Sequence, residues 1–399
     1  MAKRRTTNPP MGFTTRAVHA AEGVDPMRQR PLSAPIYQAA TFAFDDIDDF
    51  AAVAQTKLTG GYLYSRWANP TTDALARAVA SLEGAEAAAC FASGMAAIHA
   101  ALVSRARSGD HVVASKHLYG GSFGLLGRIL PRAGIDATFV EIADHAEVAA
   151  AFRDNTTVVF FETIANPTMI VADIDALSSL ARAHGAATLV DATFTPSYLL
   201  LALDHGADLV IHSATKYLGG HSDVTAGVVA GAGKAIRAIR TDAIDYGATL
   251  APLEAWLTLR GIQTLSLRME RICANALALA HFLASRSGIK AVHYPGLPGH
   301  PQHALAKQLM PRGFGGMLAF EVSGGRAAGR TFLERVRVAS PAASLGGTKT
   351  LVVHPASVTH TQLSVTQRRA AGITDGLIRV SVGIEDPEDL IADFDRALG

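Results

Sequence analysis

The chain has 399 residues, 49% of them hydrophobic, which is ample material for one large or two smaller domains. Its 36 Lys and Arg balance 35 Asp and Glu, so no overall field favours nucleic acid or an anionic membrane surface as a partner. No apolar run approaches the roughly 20 residues of a membrane helix, and the N-terminus lacks a signal-peptide core, which predicts a cytoplasmic protein.

The N-terminal quarter combines an irregular segment with a possible anion clamp. Residues 1–60 carry little regular pattern and are predicted to form an extended arm that lies across another surface. Tyr64 and Arg66 are two positions apart, so in an extended backbone their side chains point the same way. A phenol beside a planar, permanently charged guanidinium could hold an anion, although a loop whose aromatics cover a neighbour fits the same residues. An alanine-rich helix is predicted for 72–82.

A buried strand that starts near Ala88 breaks at Ser93 and continues as a helix to about Val103. Glycine lets the backbone approach a ligand, and the first turn of a helix offers N–H groups that have no intrahelical partner. The turn, which includes Gly94 and Met95, is therefore a candidate phosphate cradle. Such turns of small residues are common, so an ordinary strand-to-helix connection is the alternative.

Between 109 and about 233, short Val- and Ile-rich runs alternate with helical patterns. The predicted strands are 111–114, 137–140, 157–161, 187–190, 209–211 and 226–230. This order predicts an α/β fold with a mainly parallel sheet and helices on both faces. Ligands of such sheets collect at the carboxyl ends of the strands, so the residues that directly follow the strands are site candidates.

Polar residues that follow these strands predict pyridoxal 5'-phosphate (PLP) as a cofactor. Lys216 follows an apolar run in a Gly-rich loop, where an amine removed from water and near other cations can form a Schiff base with an aldehyde. The hydroxyls of Ser213 and Thr215 could hold a phosphate. Asp191, at the end of another strand, could pair with a protonated pyridine nitrogen. The alternatives are a surface lysine after a strand and an aspartate that caps the next helix.

After about residue 250 the pattern changes to helices over 251–260 and 263–285, followed by the strands of a smaller α/β domain. In the last predicted strand, 377–383, Arg379 lies on the face opposite Ile378. An arginine in so apolar a strand needs an anion, which could be a substrate carboxylate or a structural salt-bridge partner.

No metal site is predicted. Cys90 and Cys273 lie far apart in sequence without a metal-ligand spacing, and we expect both thiols to be reduced. His300 and His303 lie in a loop rich in Pro and Gly that offers no third ligand in pattern.

Ordered motifs run along almost the whole chain from about Thr14. They are Tyr64-Ser65-Arg66 with Asn69-Pro70-Thr71, Ala92-Ser93-Gly94-Met95, Leu118-Tyr119-Gly120-Gly121, Glu162 with Asn166-Pro167, Val190-Asp191, Ser213-Ala214-Thr215-Lys216, Ser344-Leu345-Gly346-Gly347 and His354-Pro355-Ala356-Ser357. In this order they resemble the PLP-dependent trans-sulfuration enzymes, also called the Cys/Met metabolism family: cystathionine γ-synthase, cystathionine γ-lyase, methionine γ-lyase and the O-acylhomoserine sulfhydrylases.

The resemblance implies the aspartate-aminotransferase-like fold (fold type I), with an N-terminal arm over 1–60 that contacts a neighbouring subunit. A large PLP-binding domain would cover 61–250, and a smaller C-terminal α/β domain would cover 251–399. The expected assembly is a homotetramer built as a dimer of dimers, in which Tyr64 and Arg66 reach the phosphate bound by the neighbouring subunit.

The resemblance also implies roles for the matched residues. Lys216 would bind the cofactor covalently and shuttle protons, and Asp191 would pair with the pyridine nitrogen. Tyr119 would stack on the cofactor and assist departure of the γ-substituent, while Arg379 and Ser344 would bind the α-carboxylate of an amino-acid substrate. The phosphate would be held by two backbone N–H groups and two hydroxyls, those of Gly94, Met95, Ser213 and Thr215.

Three residues depart from the patterns of individual branches and bear on the substrate. Gly121 stands where methionine γ-lyases typically carry cysteine, and Ala192 stands where many relatives have asparagine. Lys349 replaces the glutamate typical of cystathionine enzymes, and this lysine and the run from Thr348 through His360 to Gly383 look more like the O-acylhomoserine sulfhydrylases.

The function predicted from this resemblance is γ-replacement on O-acetyl- or O-succinylhomoserine, in which a sulfur nucleophile displaces acetate or succinate to give homocysteine or a related amino acid. The alternative is γ-elimination from methionine, homocysteine or cystathionine. A non-catalytic scaffold and a dinucleotide-binding protein are disfavoured by the presence of Lys216 and by the absence of a glycine fingerprint.

Overall fold

The computed structural model describes residues 11–20, 31–56, 60–358, 366, 368 and 372–399. Two helices, α1 (Phe13–Val18) and α2 (Ile47–Thr56), lie in the N-terminal segment for which the sequence predicts little regular structure. The first is attached to its own chain, because Ala17 is fully buried and Thr14 Oγ1 donates a hydrogen bond of 3.0 Å to Ser266 Oγ. Residues 31–56 are mostly exposed, so this part of the arm has few neighbours within its own subunit.

The larger sheet has seven strands, which are β1 (Ala87–Phe91), β2 (His111–Ser115), β3 (Asp136–Val140), β4 (Thr156–Glu162), β5 (Ala187–Asp191), β6 (Leu209–His212) and β7 (Gly227–Gly231). Their order is β1-β7-β6-β5-β4-β2-β3. Strands β2 to β6 pair in parallel, whereas β7 runs antiparallel to both β1 and β6. The predicted α/β fold with a mainly parallel sheet is confirmed.

Helices cover both faces of this sheet. They include α3 (Pro70–Glu83), α4 (Gly94–Val103), α5 (Gly120–Gly124), α6 (His145–Ala150), α7 (Ile174–Ala183) and α8 (Gly233–Tyr246). Successive strand residues enter two different apolar clusters, with Val190 on the face of α3 and α7 and Leu189 on the face of α4. Helix α3 begins sharply because the Asn69 side chain accepts from the Thr71 N–H and Pro70 occupies the first turn.

Two helices lead out of the large sheet, α9 (Pro252–Ile262) and α10 (Leu265–Ser285). α9 packs against α3. The first half of α10 buries Met269 in the large-domain cluster, whereas its second half buries Leu279 in the core of the smaller domain. α10 therefore belongs to both cores, and the domain limits at 60 and 250 stay predictions.

The smaller domain is built on β8 (Ile289–His293), β9 (Met317–Val322), β10 (Ser340–Pro341), β11 (Leu351–Val353) and β12 (Leu377–Ser381), in the order β10-β11-β12-β9-β8. Its helices include α11 (His303–Leu309), α12 (Gly325–Arg335) and α13 (Pro387–Leu398). All strand pairs are antiparallel except β10 with β11. Phe320, Phe332 and Phe394 meet at its centre. Within the described residues, no helix has the length and apolarity to cross a membrane.

Candidate active site

A cavity of about 340 Å³ lies at the carboxyl ends of the central strands of the large sheet, where Arg379 of β12 closes it from the smaller domain. It brings together most of the predicted site residues, namely Gly94, Met95, Tyr119, Asp191, Ser213, Thr215, Lys216, Ser344 and Arg379. The candidate residues that follow strands of the large domain thus lie together, as the strand-end rule predicts, and their roles stay predictions.

Lys216 lies in the loop between β6 and β7, with its amine inside the cavity. Its Nζ donates a hydrogen bond of 2.7 Å to Ser344 Oγ. Burial, reinforced by the positive charge of Arg379, lowers the pKa of Lys216 to about 8, so part of the amine is unprotonated near neutral pH. Ser344 has a positive φ of 98°, a strained backbone conformation of the kind found at functional sites.

The Lys216 loop is tied to the start of α10 by a buried arginine. Arg268 donates to the Tyr217 carbonyl at 2.8 Å and to the Gly261 carbonyl at 2.7 Å. Burial lowers the pKa of Arg268 to about 10, so the side chain keeps its charge at neutral pH. Because Tyr217 follows Lys216 directly, this contact fixes the backbone that carries the amine.

Arg379 is 5% exposed, and its guanidinium is held at the cavity by one backbone and one side-chain acceptor. It donates to the Ser344 carbonyl at 2.8 Å and to Asn166 Oδ1 at 3.2 Å. Burial lowers its pKa to about 10, so it stays cationic. No acidic side chain of the described residues forms an ion pair with it, and its Nε lacks a hydrogen-bond partner there. The alternative of a structural salt bridge thus finds no support among these residues.

Two carboxyl groups lie side by side on the floor of the cavity. Asp191 ends β5 and is aligned with Glu162, which ends β4. Asp191 accepts from the Thr193 N–H at 2.9 Å, and Glu162 accepts from the Tyr119 N–H at 2.5 Å. Burial raises the pKa of Asp191, and burial together with the charge of Asp191 raises the pKa of Glu162 well above its usual range. A cation against Asp191 would favour its ionised form.

The turn at the start of α4 fits a phosphate. A Cβ atom on Gly94 would lie 2.7 Å from Ser213 Cβ, so only glycine allows the helix end to approach the Lys216 loop so closely. Ser93 caps the helix by accepting from the Ala96 N–H. The Thr215 hydroxyl accepts from the Ala226 N–H at 2.9 Å and contacts the Ala226 carbonyl at 3.3 Å, a weak bond that a phosphate oxygen could replace.

The absence of a side chain at Gly121 leaves space for the Tyr119 ring. A Cβ atom on Gly121 would lie 2.6 Å from Tyr119 Cε1 and 2.8 Å from Met95 Sδ. Cysteine at this position is therefore incompatible with the observed position of the ring. Tyr119 is 53% exposed, and its phenol stands at the mouth of the cavity.

Two predicted residues lie outside the cavity of their own chain. Tyr64 is 44% exposed, and the guanidinium carbon of Arg66 lies 5.6 Å from its ring centroid. Arg66 donates to the Ile244 carbonyl and lines a separate pocket of about 40 Å³. The two side chains are neighbours, as the spacing predicts, but they do not meet the other site residues within one subunit.

Sequence reasoning missed Thr193. Its Oγ1 accepts from the Ser213 N–H at 2.8 Å while its own N–H donates to Asp191, so it joins the two strand ends. The signal that could have found it is its position two residues beyond the end of β5. Ala192 is buried among apolar side chains and makes no polar side-chain contact, whereas His360 lies outside the described residues.

The donor set fits PLP. The cavity combines an amine with a lowered pKa, a buried carboxyl group, a helix N-terminus kept open by Gly94, and an arginine that lacks an acidic partner in the described part of the chain. These groups match the aldehyde, the pyridine nitrogen and the phosphate of PLP, and the carboxylate of an amino acid.

Known proteins resemble the chain over nearly its whole length. A solved structure described as an O-acetylhomoserine (thiol)-lyase from Campylobacter jejuni, which carries N'-pyridoxyl-lysine-5'-monophosphate, matches 97% of this chain and 100% of that one, with a TM-score of 0.93 and 35% identity. The chain is 45% identical to an L-methionine gamma-lyase of Pseudomonas putida over 97% of both proteins. It is 42% identical to a cystathionine beta-lyase of Lactococcus lactis, over 96% of this chain and 98% of that protein.

The fold and the cavity are those of a PLP-dependent enzyme with the aspartate-aminotransferase-like fold type I. The model of the family described as Cys/Met metabolism PLP-dependent enzyme matches residues 14–399, and the chain belongs to this family. The predicted family, fold and cofactor are thereby confirmed.

Proposed function

We propose that the protein catalyses γ-replacement on O-acetyl- or O-succinylhomoserine, with a sulfur nucleophile that displaces acetate or succinate from Cγ to give homocysteine or a related sulfur amino acid. The observation that carries this choice is a groove of about 910 Å³ beside the PLP cavity, which shares Thr215, Thr225 and Ser344 with it. Lys349 lines this groove together with the acidic residues Asp223 and Glu254. Its amine is the cation of this lining that could contact an anionic nucleophile such as hydrosulfide.

In the proposed mechanism, bound PLP supplies an electron sink for the negative charge that develops on the substrate. Lys216 Nζ removes one proton from the substrate Cα and one from Cβ, so that the carboxylate can depart from Cγ, and it returns them after the nucleophile has added; a pKa of about 8 permits transfer in both directions near neutral pH. Ser344 Oγ, at 2.7 Å, orients the amine between these steps. Arg379 binds the α-carboxylate and thereby fixes Cα beneath the amine.

The remaining site residues would bind and orient. Asp191 would hold the protonated pyridine nitrogen, and Tyr119 would cover the ring, with its phenol available to donate a proton to the departing carboxylate. Glu162 positions Tyr119 through the bond to its backbone N–H. The phosphate is held by the backbone of Gly94 and Met95 and by the hydroxyls of Ser213 and Thr215.

We also propose that a dimer shares its active sites and that two dimers form a tetramer in the cytoplasm. Tyr64 and Arg66 form an exposed pair of phenol and guanidinium outside their own cavity, and the exposed arm over 31–56 adjoins them in the chain. A second copy would let this pair complete the phosphate site of its neighbour.

Mixing two inactive variants tests the shared site. Arg66→Ala disables the site of the partner and Lys216→Ala disables its own, so a mixed dimer keeps one complete site. We expect coexpressed, differently tagged variants to recover about a quarter of wild-type activity, since half of random dimers are mixed and each has one complete site. Purified mixed dimers with no more activity than either parent would contradict the shared site.

A second candidate function is γ-elimination from methionine, homocysteine or cystathionine, which releases a thiol, 2-oxobutanoate and ammonia. It is supported by the 45% identity to the Pseudomonas putida L-methionine gamma-lyase. Gly121 departs from the cysteine typical of methionine γ-lyases, and Lys349 departs from the glutamate typical of cystathionine enzymes. Both departures favour γ-replacement over γ-elimination. Both reactions need the same proton transfers by Lys216 and differ in what reaches Cγ.

Product analysis separates the two functions. We expect homocysteine from O-acetyl- or O-succinylhomoserine only when sulfide is present, measured by chromatography. Lys349→Glu should lower the sulfide-dependent rate about tenfold, because it reverses the charge that attracts the nucleophile. Lys349→Arg, which keeps the charge, is the matched control. Rapid release of 2-oxobutanoate from methionine without any sulfide-dependent product would overturn the replacement proposal in favour of elimination.

A further inference from the structure

A buried ion pair lies behind the PLP cavity and has no part in the steps proposed above. His212, the last residue of β6, places Nε2 2.7 Å from Oε1 of Glu83, the last residue of α3. The two side chains are 2% and 0% exposed. A carboxylate at a helix C-terminus faces the negative end of the helix dipole, and burying it there is unfavourable unless a cation accompanies it.

The imidazole of His212 contacts Glu83 through Nε2. A ring nitrogen that faces a carboxylate oxygen carries hydrogen, and a second proton on the ring offsets the buried negative charge of Glu83. The negative charges of Glu83 and Asp191 accordingly raise the pKa of His212 although its burial opposes this.

The imidazolium lies directly behind Asp191. In the pairing of β5 with β6, Asp191 is aligned with Ile211, the residue before His212. Because side chains alternate along a strand, Asp191 faces the cavity and His212 faces α3. The charged groups that act on the imidazole are Glu83 from α3 and Asp191 from β5, and Glu162 from β4 acts on Asp191 in turn.

We propose that the Glu83–His212 pair is a positioning element for the cofactor: the imidazolium keeps Asp191 ionised from behind, so that Asp191 can hold a protonated pyridine nitrogen. This inference rests on the proposed role of Asp191. Without a positive charge behind it, a buried carboxyl group beside Glu162 would take up a proton and lose its attraction for that nitrogen. The pair therefore does more than attach α3 to the sheet.

The test measures noncovalent PLP binding, independently of the reaction catalysed. It is carried out on the full chain with Lys216→Ala, so that titration of the amine does not contribute. Affinity for PLP should fall as the pH rises through the raised pKa of His212. Adding Glu83→Gln keeps a hydrogen-bond acceptor but removes the charge, so the pKa of His212 falls. The midpoint of the affinity curve should then move at least about one pH unit lower, with about tenfold weaker binding between the two midpoints.

His111→Gln is the matched control, since His111 is a buried histidine joined to Thr156 and Thr138 by hydrogen bonds of 2.8 Å at the opposite end of the strands. We expect it to lower the unfolding temperature without changing PLP affinity. If Glu83→Gln does not fold, His212→Asn replaces it and should give weak binding at every pH. Normal affinity with an unchanged midpoint in a folded variant overturns the inference.

A further measurement separates this inference from the proposal on which it rests. Asp191→Asn should weaken PLP binding about as much as the loss of the cation, or more. If Asp191→Asn leaves the affinity unchanged, the proposed role of Asp191 is wrong and the inference falls with it. If Asp191→Asn weakens binding but neither Glu83→Gln nor His212→Asn does, the role of Asp191 stands and only the inference about the pair is overturned.

Discussion

Replacing Lys216 with alanine should lower turnover by a factor of at least about 10⁴, because the variant loses the group that moves the substrate proton and the amine that binds PLP covalently. Among the described residues that line the cavity, Lys216 supplies the only side-chain amine. The absorbance band of the resting holoenzyme at about 420 nm, which comes from the covalently bound cofactor, should be absent from the dialysed Lys216→Ala protein.

Lys290→Ala is the control for this prediction, since Lys290 is an exposed lysine on β8 that lies 3.7 Å from Glu321. It should leave both turnover and absorbance unchanged. If the absorbance band survives in Lys216→Ala without an added amine, another lysine holds the cofactor and the assignment is wrong.

Replacing Arg379 with leucine should raise KM for the amino-acid substrate about 10²-fold or more, because a buried, hydrogen-bonded cation is lost from the carboxylate site. PLP affinity should change little. The substitution also removes a positive charge that lowers the pKa of Lys216, so this pKa should rise from about 8. The acidic limb of the pH profile of kcat should therefore shift to higher pH, which steady-state kinetics across pH can measure.

Arg379→Lys provides the comparison, because it keeps a positive charge but loses the planar fork of donors. Its KM should lie between those of the wild type and Arg379→Leu, and its pH profile should stay close to that of the wild type. An unchanged KM in Arg379→Leu would show that the substrate carboxylate binds elsewhere.

The large sheet was predictable because its strands are short apolar runs with helical patterns between them. The reversed direction of β7 was not, since the run 226–230 is as apolar and as buried as the parallel strands beside it. The direction of a strand depends on the connection before it, and periodicity does not encode that connection. The two helices of the arm were not predicted, because both are short and α2 begins in a polar run.

The grouping of the candidate site residues in one cavity was predictable where chemistry and position coincide, as for Lys216 and Asp191 at strand ends. It was not predictable where contacts join distant parts of the chain. Nothing in the sequence around Ser344 indicates that its hydroxyl accepts from Lys216 while its carbonyl accepts from Arg379. The crowding of Tyr119 against Gly121 likewise depends on the orientation of a side chain, which a motif leaves open.

The pair of Tyr64 and Arg66 illustrates another kind of limit. Their spacing predicts that they lie together, and they do. The anion that they are proposed to bind belongs to another copy of the chain, so neither the sequence pattern of one subunit nor its own cavity identifies it. The mixing experiment with Arg66→Ala addresses this question directly.

Helix α10 connects the two cores and contacts the loop that carries Lys216. Its 21 residues make a rod of about 31 Å, with one end anchored in each core. Arg268 joins the near end to the Tyr217 carbonyl, and the far end packs in the domain that carries Arg379. Any rotation of the smaller domain about this helix would therefore act on the backbone one residue from Lys216.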